Sequence, residues 1–168
     1  MEYAKSNNIY VSFDPNYRDA LITQDKLDGF IDNSIKFIKE SDFTKLSDEE
    51  LFLLTKEKDI TAGVNKLHEL GVKVVTITLG SKGTYLSVNG ENEIIPSMKI
   101  KQIDSTGAGD AFVGAVLKQI SDIENKHNIS FEEWKNIIEF ANKVGAITCT
   151  NYGAIASMPT ISEIKLLS

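Results

Sequence analysis

Asp104-Ser105-Thr106-Gly107-Ala108-Gly109-Asp110-Ala111-Phe112-Val113-Gly114-Ala115-Val116-Leu117 is the stretch on which the reading of this chain turns. Gly107 and Gly109 flank Ala108, so no side chain larger than a methyl group precedes the carboxylate of Asp110, and the backbone there can come close to a ligand. From Phe112 the apolar residues take helical spacing. Phe112, Val113, Val116, Leu117 and Ile120 form one stripe, with small Ala111, Gly114 and Ala115 between them. The turn is therefore predicted to open a helix. A helix start leaves backbone N–H groups without intrahelical partners and carries partial positive charge, which makes a glycine-rich turn there a site for a phosphate or a developing oxyanion. A carboxylate beside such a hole can accept a proton from a hydroxyl while the hole holds the phosphoryl group under attack. The same residues also describe a first-turn acid favoured by the helix dipole after a tight turn. No GxxxxGK[ST] loop occurs, and Phe112 stands where the third glycine of GxGxxG belongs, so neither of those phosphate-binding motifs applies.

Composition narrows the function classes. A chain of 168 residues with 42% hydrophobic content is long enough for one globular domain, expected over residues 1–168. Its net charge of -6 and scattered lysines give no basic stripe for nucleic acid. Cys149 is the single cysteine, so an internal disulfide and a thiolate metal site are both excluded, as suits a reducing cytoplasm. No apolar run approaches a membrane span, and MEYAKSNN lacks the charged-then-apolar order of a signal peptide. A soluble cytoplasmic protein is expected.

Upstream of the glycine turn, Ile9 to Phe13 reads as a strand ending in the polar turn Asp14-Pro15-Asn16-Tyr17-Arg18. Loops after buried parallel strands carry ligand groups in α/β folds. The residues also fit a self-contained turn, with Asp14 and Asn16 bonding its backbone and Arg18 paired with an acid. Leu27, Phe30, Ile31, Ile35 and Ile38 have helical spacing, and Asp42 to Leu46 reads as the next strand. Ser47 and Glu50 form a capping box that opens another helix. Ile60 to Leu70 is helical and stopped by Gly71, with His68 as a surface or packing histidine. Val72 to Leu79 is a β-branched strand leading into Gly80-Ser81-Lys82-Gly83, which fits a tight turn. Asn89-Gly90 signals a hairpin between Thr84 to Val88 and Glu93 to Pro96. After the glycine-turn helix, Phe131 to Thr148 is a long helix with Asn142 on the flank of its apolar stripe, and Ile161 to Leu167 is a short terminal one. This order argues for a three-layer α/β/α sandwich on a mostly parallel sheet.

Asp104 to Asp110 resembles the C-terminal signature of the ribokinase-like (PfkB) family of carbohydrate kinases, usually Asp-Thr-x-Gly-Ala-Gly-Asp, with Ser105 where threonine is common. The resemblance implies Asp110 as catalytic base and the backbone of Gly107, Ala108 and Gly109 as anion hole. Phe13-Asp14-Pro15-Asn16-Tyr17-Arg18 is similar to a segment of fructokinase-like and 2-keto-3-deoxygluconate-kinase-like members, which implies Asn16 and Arg18 near the phosphate or acceptor sugar. Lys45-Leu46-Ser47-Asp48-Glu49-Glu50 looks like the fructokinase form of the family's Asn-x-x-Glu motif, implying that Glu50 helps to organise Mg2+ and phosphate. Thr78, Gly80, Ser81 and Gly83 correspond by the same resemblance to the loop touching the ATP phosphates and ribose, and Asn142 to an adenine contact. Asp104 and Thr106, with carbonyls of residues 151–157, match the site of a monovalent cation such as K+.

The resemblance covers essentially the whole chain but only the second half of the family's usual length, without the N-terminal part and its lid. It implies ATP-dependent phosphorylation of a sugar, fructose first and 2-keto-3-deoxygluconate or ribose as alternatives, with weak or no activity for a half-site. Such a chain is expected to be a truncated gene product or a deliberately cut piece. A non-catalytic nucleotide-binding or regulatory module is the alternative. Exposed sheet edge and apolar surface predict a homo-oligomer, or association with a separate N-terminal half.

Overall fold

The computed structural model describes residues 1–166. Its five-stranded sheet has the order β1-β2-β3-β4-β5, with β1 at Ser12–Phe13, β2 at Phe43–Ser47, β3 at Val74–Thr78, β4 at Thr84–Val88 and β5 at Glu91–Ile95. β1, β2 and β3 run parallel, in a register that sets Phe13 against Thr44 and Ser47 against Thr78. The chain then reverses. Leu79 N–H bonds Gly83 O at 2.8 Å and Asn89 N–H bonds Lys73 O at 2.8 Å, a pairing that makes β4 antiparallel to β3. Asn89 (φ 51) and Gly90 (φ 93) supply the left-handed pair of a two-residue hairpin turn into β5. The expected antiparallel piece on a parallel sheet is thus present.

Two compact units divide the chain. The first comprises Met1–Thr78 and Tyr85–Glu93, and the second Leu79–Thr84 and the residues from Ile94 onward. In the first, helices α1 (Glu2–Ser6), α2 (Gln24–Ile38), α3 (Asp48–Thr55) and α4 (Ile60–Glu69) accompany most of the sheet. Ile38, Phe43, Leu46, Leu51, Val64, Leu67, Val75, Ile77 and Leu86 are sealed from water. α3 starts where the capping box predicts, with Glu50 N–H on Ser47 Oγ at 3.1 Å and Ser47 N–H on Glu50 Oε2 at 2.7 Å. α4 passes tightly over α3, because a Cβ on Gly63 would stand 2.9 Å from Leu51 Cγ.

The second unit is built on α5 (Ala108–Ser121) and α6 (Phe131–Thr148), followed by α7 (Ile161–Leu166). Phe112, Val116 and Ile120 of α5 and Trp134, Ile138 and Ala141 of α6 are buried. A Cβ on Gly145 would lie 3.2 Å from Ala108 O, so a glycine in α6 lets the start of α5 come close.

Several expectations shift. The first strand shrinks to Ser12–Phe13, and α1 has no buried residue and no stripe to announce it. His68 agrees with its expected role as a packing histidine, with Nδ1–H donating to Val72 O at 2.7 Å and Nε2 against Ser87 Oγ at 2.7 Å. Asn142 is buried rather than flanking. The terminal helix is described to Leu166, and its expected end at Leu167 lies outside the described residues.

Candidate functional site

In the first unit the carboxyl ends of β1, β2 and β3 converge, which is where parallel sheets place ligand loops. Thr78 closes β3 beside Ser47, and its Oγ1 donates to Leu46 O at 3.3 Å. Glu50, 4% exposed, accepts Tyr17 N–H on Oε1 at 2.6 Å and Ser47 N–H on Oε2. It therefore joins the helix start to the Asp14–Arg18 turn.

A second tie comes from Lys45, which sequence reasoning passed over as a strand residue. Lys45 is buried at 7% exposure, and its Nζ meets Asp14 Oδ2 at 3.1 Å while Asp14 Oδ1 accepts Asn16 N–H at 3.0 Å. Burial pushes the Asp14 carboxyl above its ordinary range, and the neighbouring Lys45 ammonium offsets this only in part. Pinned at both ends, the turn holds Asn16 in the left-handed region (φ 51). Arg18 is exposed. Its guanidinium donates to the carbonyl of Tyr17 at 2.9 Å, and among the described residues no acid pairs with it, so the self-contained turn accounts for Asp14 but not for Arg18.

The second unit carries the glycine turn. Gly107, at φ 81, is the N-cap of α5, and its would-be Cβ lies 2.8 Å from Ala154 Cβ, so the turn sits hard against the 151–157 loop. Ala111 N–H bonds Gly107 O at 2.8 Å and begins the helical ladder. Ala108 N–H is given to Ser105 O at 3.1 Å. Among the described residues no acceptor takes the N–H groups of Gly107, Gly109 or Asp110, and the Asp110 side chain lies in the exposed first turn beside them. Of the amides expected to form the hole, that of Ala108 is thus already engaged, whereas the N–H of Asp110 has no acceptor among the described residues.

Asp104 fastens this turn. Its Oδ1 accepts Thr106 N–H at 2.9 Å and Thr106 Oγ1–H at 2.7 Å, and its Oδ2 accepts Gly153 N–H at 2.9 Å. The Gly153 amide, then the Thr106 hydroxyl and amide, hold the Asp104 carboxyl down at about 2. Ser157 Oγ–H bonds the carbonyls of Gly153 and Ala154. Also in this unit, Gly80–Lys82 forms a single 3₁₀ turn between Leu79 and Gly83, with Gly80 at φ 58, Gly83 at φ 106 and Ser81 exposed. Asn142 is 7% exposed and bonds Thr84 Oγ1, Ile95 O and Pro96 O.

A mixed sheet with polar turns at its parallel strand ends, and a glycine-capped helix carrying a first-turn acid, defines an α/β domain of the ribokinase-like kind. The chain belongs to the pfkB family of carbohydrate kinases, whose family model matches residues 1–161. It is 37% identical over 174 residues to fructokinase-1 of Zea mays, covering 99% of this chain and 51% of that one. Against a fructokinase of Vibrio alginolyticus it is 33% identical over 168 residues, covering 96% and 51%. A double-mutant fructokinase from Vibrio cholerae O395, crystallised with fructose, ADP and potassium ion, superposes with a TM-score of 0.87 at 30% identity, over 97% of this chain and 52% of the other. The chain spans about half the length of the curated relatives it matches. Among the described residues no helix is long and apolar enough to cross a membrane.

Proposed function

We propose that this chain is the nucleotide-binding and catalytic-base portion of a cytoplasmic, ATP-dependent sugar kinase of the fructokinase type. One observation carries the reading: the N–H groups of Gly107, Gly109 and Asp110 are unclaimed by any acceptor among the described residues, and a carboxylate stands in the same turn. Asp110 accepts the proton of a sugar hydroxyl as that oxygen attacks the γ-phosphorus of ATP. The bond to the γ-phosphorus forms at the sugar oxygen, the bond to the bridging oxygen breaks, and ADP leaves. The free amides at the helix start hold the phosphoryl oxygens. Gly80, Ser81 and Gly83, with Thr78, supply the nucleotide-side contacts, and Asn16 and Arg18 face the acceptor or its phosphate. Fructose is the proposed acceptor, as the sequence relatives suggest, with 2-keto-3-deoxygluconate or ribose next.

Each Glu50 oxygen accepts a single N–H and keeps a lone pair, and among the described residues no cluster of three or more His, Cys, Asp or Glu side chains forms a protein-only metal cage. That donor set suits Mg2+, which keeps waters and substrate phosphates as ligands and supplies charge neutralisation on them. Asp104, Thr106 and the carbonyls of the 151–157 loop would hold K+, since Asp104 Oδ2 has accepted only one bond.

The test is a coupled phosphorylation assay over a sugar panel beside calorimetric titration of Mg-ATP. Sugar turnover that falls at least about 100-fold in Asp110→Asn, with ATP affinity within about threefold of the parent, is the expected result. ATP binding without turnover by the parent chain, as a half-site would also give, supports only the nucleotide-binding part of the reading, and absence of both contradicts the reading.

A further inference from the structure

Asn142 sits in mid-helix, where asparagine is ordinarily solvated, yet its amide is buried and both of its polar atoms are partnered. Nδ2 donates to Ile95 O at 2.9 Å and to Pro96 O at 3.4 Å, and Oδ1 stands 2.6 Å from Thr84 Oγ1. Carbonyl oxygens only accept, which fixes the face that Nδ2 presents and makes Thr84 the donor to Oδ1. Thr84 directly follows Gly83. A Cβ on Gly83 would come within 2.1 Å of Ile95 O and 2.8 Å of Pro96 Cα, so the Gly80–Gly83 turn lies backbone to backbone on the 95–97 segment. Asn142 grips both sides of that contact, one through a hydroxyl and the other through two carbonyls. A buried polar group that links three segments fixes their relative placement, because each lost bond leaves a partner stranded away from water.

We propose that Asn142 is a positioning residue for the nucleotide-side turn Gly80–Gly83, acting through Thr84 and the carbonyls of Ile95 and Pro96, and not a group that touches the adenine base. Its consequence for affinity rests on the nucleotide-binding reading above, whereas its consequence for the turn does not. A residue that touches the base changes the affinity for ATP and leaves a baseless triphosphate alone. One that shapes the phosphate-side turn weakens both by the same factor.

The experiment compares Asn142→Ala, Thr84→Val and Thr84→Ser by amide hydrogen exchange of the folded chain and by calorimetric titration with ATP and with inorganic tripolyphosphate. Thr84→Val removes the hydroxyl while keeping the shape, so it carries the test if Asn142→Ala does not fold. Thr84→Val is expected to exchange about tenfold faster across residues 79–84, the effect of one lost hydrogen bond, and Asn142→Ala at least as much faster, with α5 unchanged. Both are also expected to weaken ATP and tripolyphosphate equally, and Thr84→Ser to restore both readouts. Unchanged exchange across 79–84 in Thr84→Val overturns the proposal, as does a loss confined to ATP. If the parent chain binds neither triphosphate, the nucleotide reading fails and exchange alone decides the role of Asn142.

Discussion

Replacing Gly107 by alanine and, separately, Gly114 by alanine places the same added methyl group at the N-cap and in the interior of α5, with opposite expected signs. Gly107 has φ 81, a left-handed conformation, and its new Cβ would meet Ala154 Cβ at 2.8 Å and Ala154 Cα at 2.9 Å. The backbone conformation costs alanine roughly 1–2 kcal/mol. Relieving the overlap, which falls on backbone as well as side chain, adds about 1–3 kcal/mol. A loss near 3 kcal/mol follows, and with a urea m-value of about 2 kcal/mol/M the midpoint should drop by about 1.5 M. Gly114 is exposed in the interior of α5, with no atom within 4 Å of its would-be Cβ. Alanine there should raise stability by about 0.5–1 kcal/mol, through helix propensity alone. Urea denaturation followed by far-ultraviolet circular dichroism reads both. Equal midpoints for the two variants, or a Gly107→Ala midpoint at the parent value, would refute the claim that the turn is pressed against the 151–157 loop.

Other predictions address the remaining ties. Lys45→Met strands the half-buried Asp14 carboxylate and should cost about 1–3 kcal/mol, most of it recovered in the Lys45→Met/Asp14→Asn double variant; additive losses in urea titrations would show that the pair is uncoupled. The carboxyl of Asp104 is held at about 2 against an ordinary 3.8, so the stability it contributes is present above about pH 4 and lost as pH falls toward 2. The Gly153 amide resonance should report that loss over the same window, and a midpoint near pH 4 would contradict it. Exposed Leu21, Tyr152 and Ile155 favour self-association. Light scattering should therefore show species larger than the monomer at high concentration, and a clean monomer would count against the expectation.

Local signals were readable in the sequence because their partners lie within a turn of chain. Ser47 and Glu50 announce the start of α3, Asn89-Gly90 announces the hairpin, and the spacing from Trp134 to Thr148 outlines α6. Long-range ties left no such trace. Lys45 reads as an ordinary polar strand residue until Asp14, 31 positions earlier, is found beside it. Glu50 satisfies a capping box so fully that nothing in the sequence shows its other oxygen holding Tyr17 N–H, 33 positions away. Asn142 reads only as a residue on the flank of an apolar stripe because Thr84 is 58 positions away and Ile95 is 47. The glycine turn falls between these cases. Its composition announces a close approach, but only the coordinates show that Ala154 is the neighbour and that Ser105 takes the amide of Ala108.

The proposed function requires the amides at the start of α5 to cradle the phosphates of a nucleotide next to Asp110. A nitrogen-15 NMR titration of the chain with Mg-ATP tests it most directly. Saturable shifts of the Gly107, Gly109 and Asp110 amides, with those of Gly80 to Gly83 moving at the same midpoint, are the predicted result. Mg-ATP that leaves those resonances in place, or moves only residues of other segments, would contradict it.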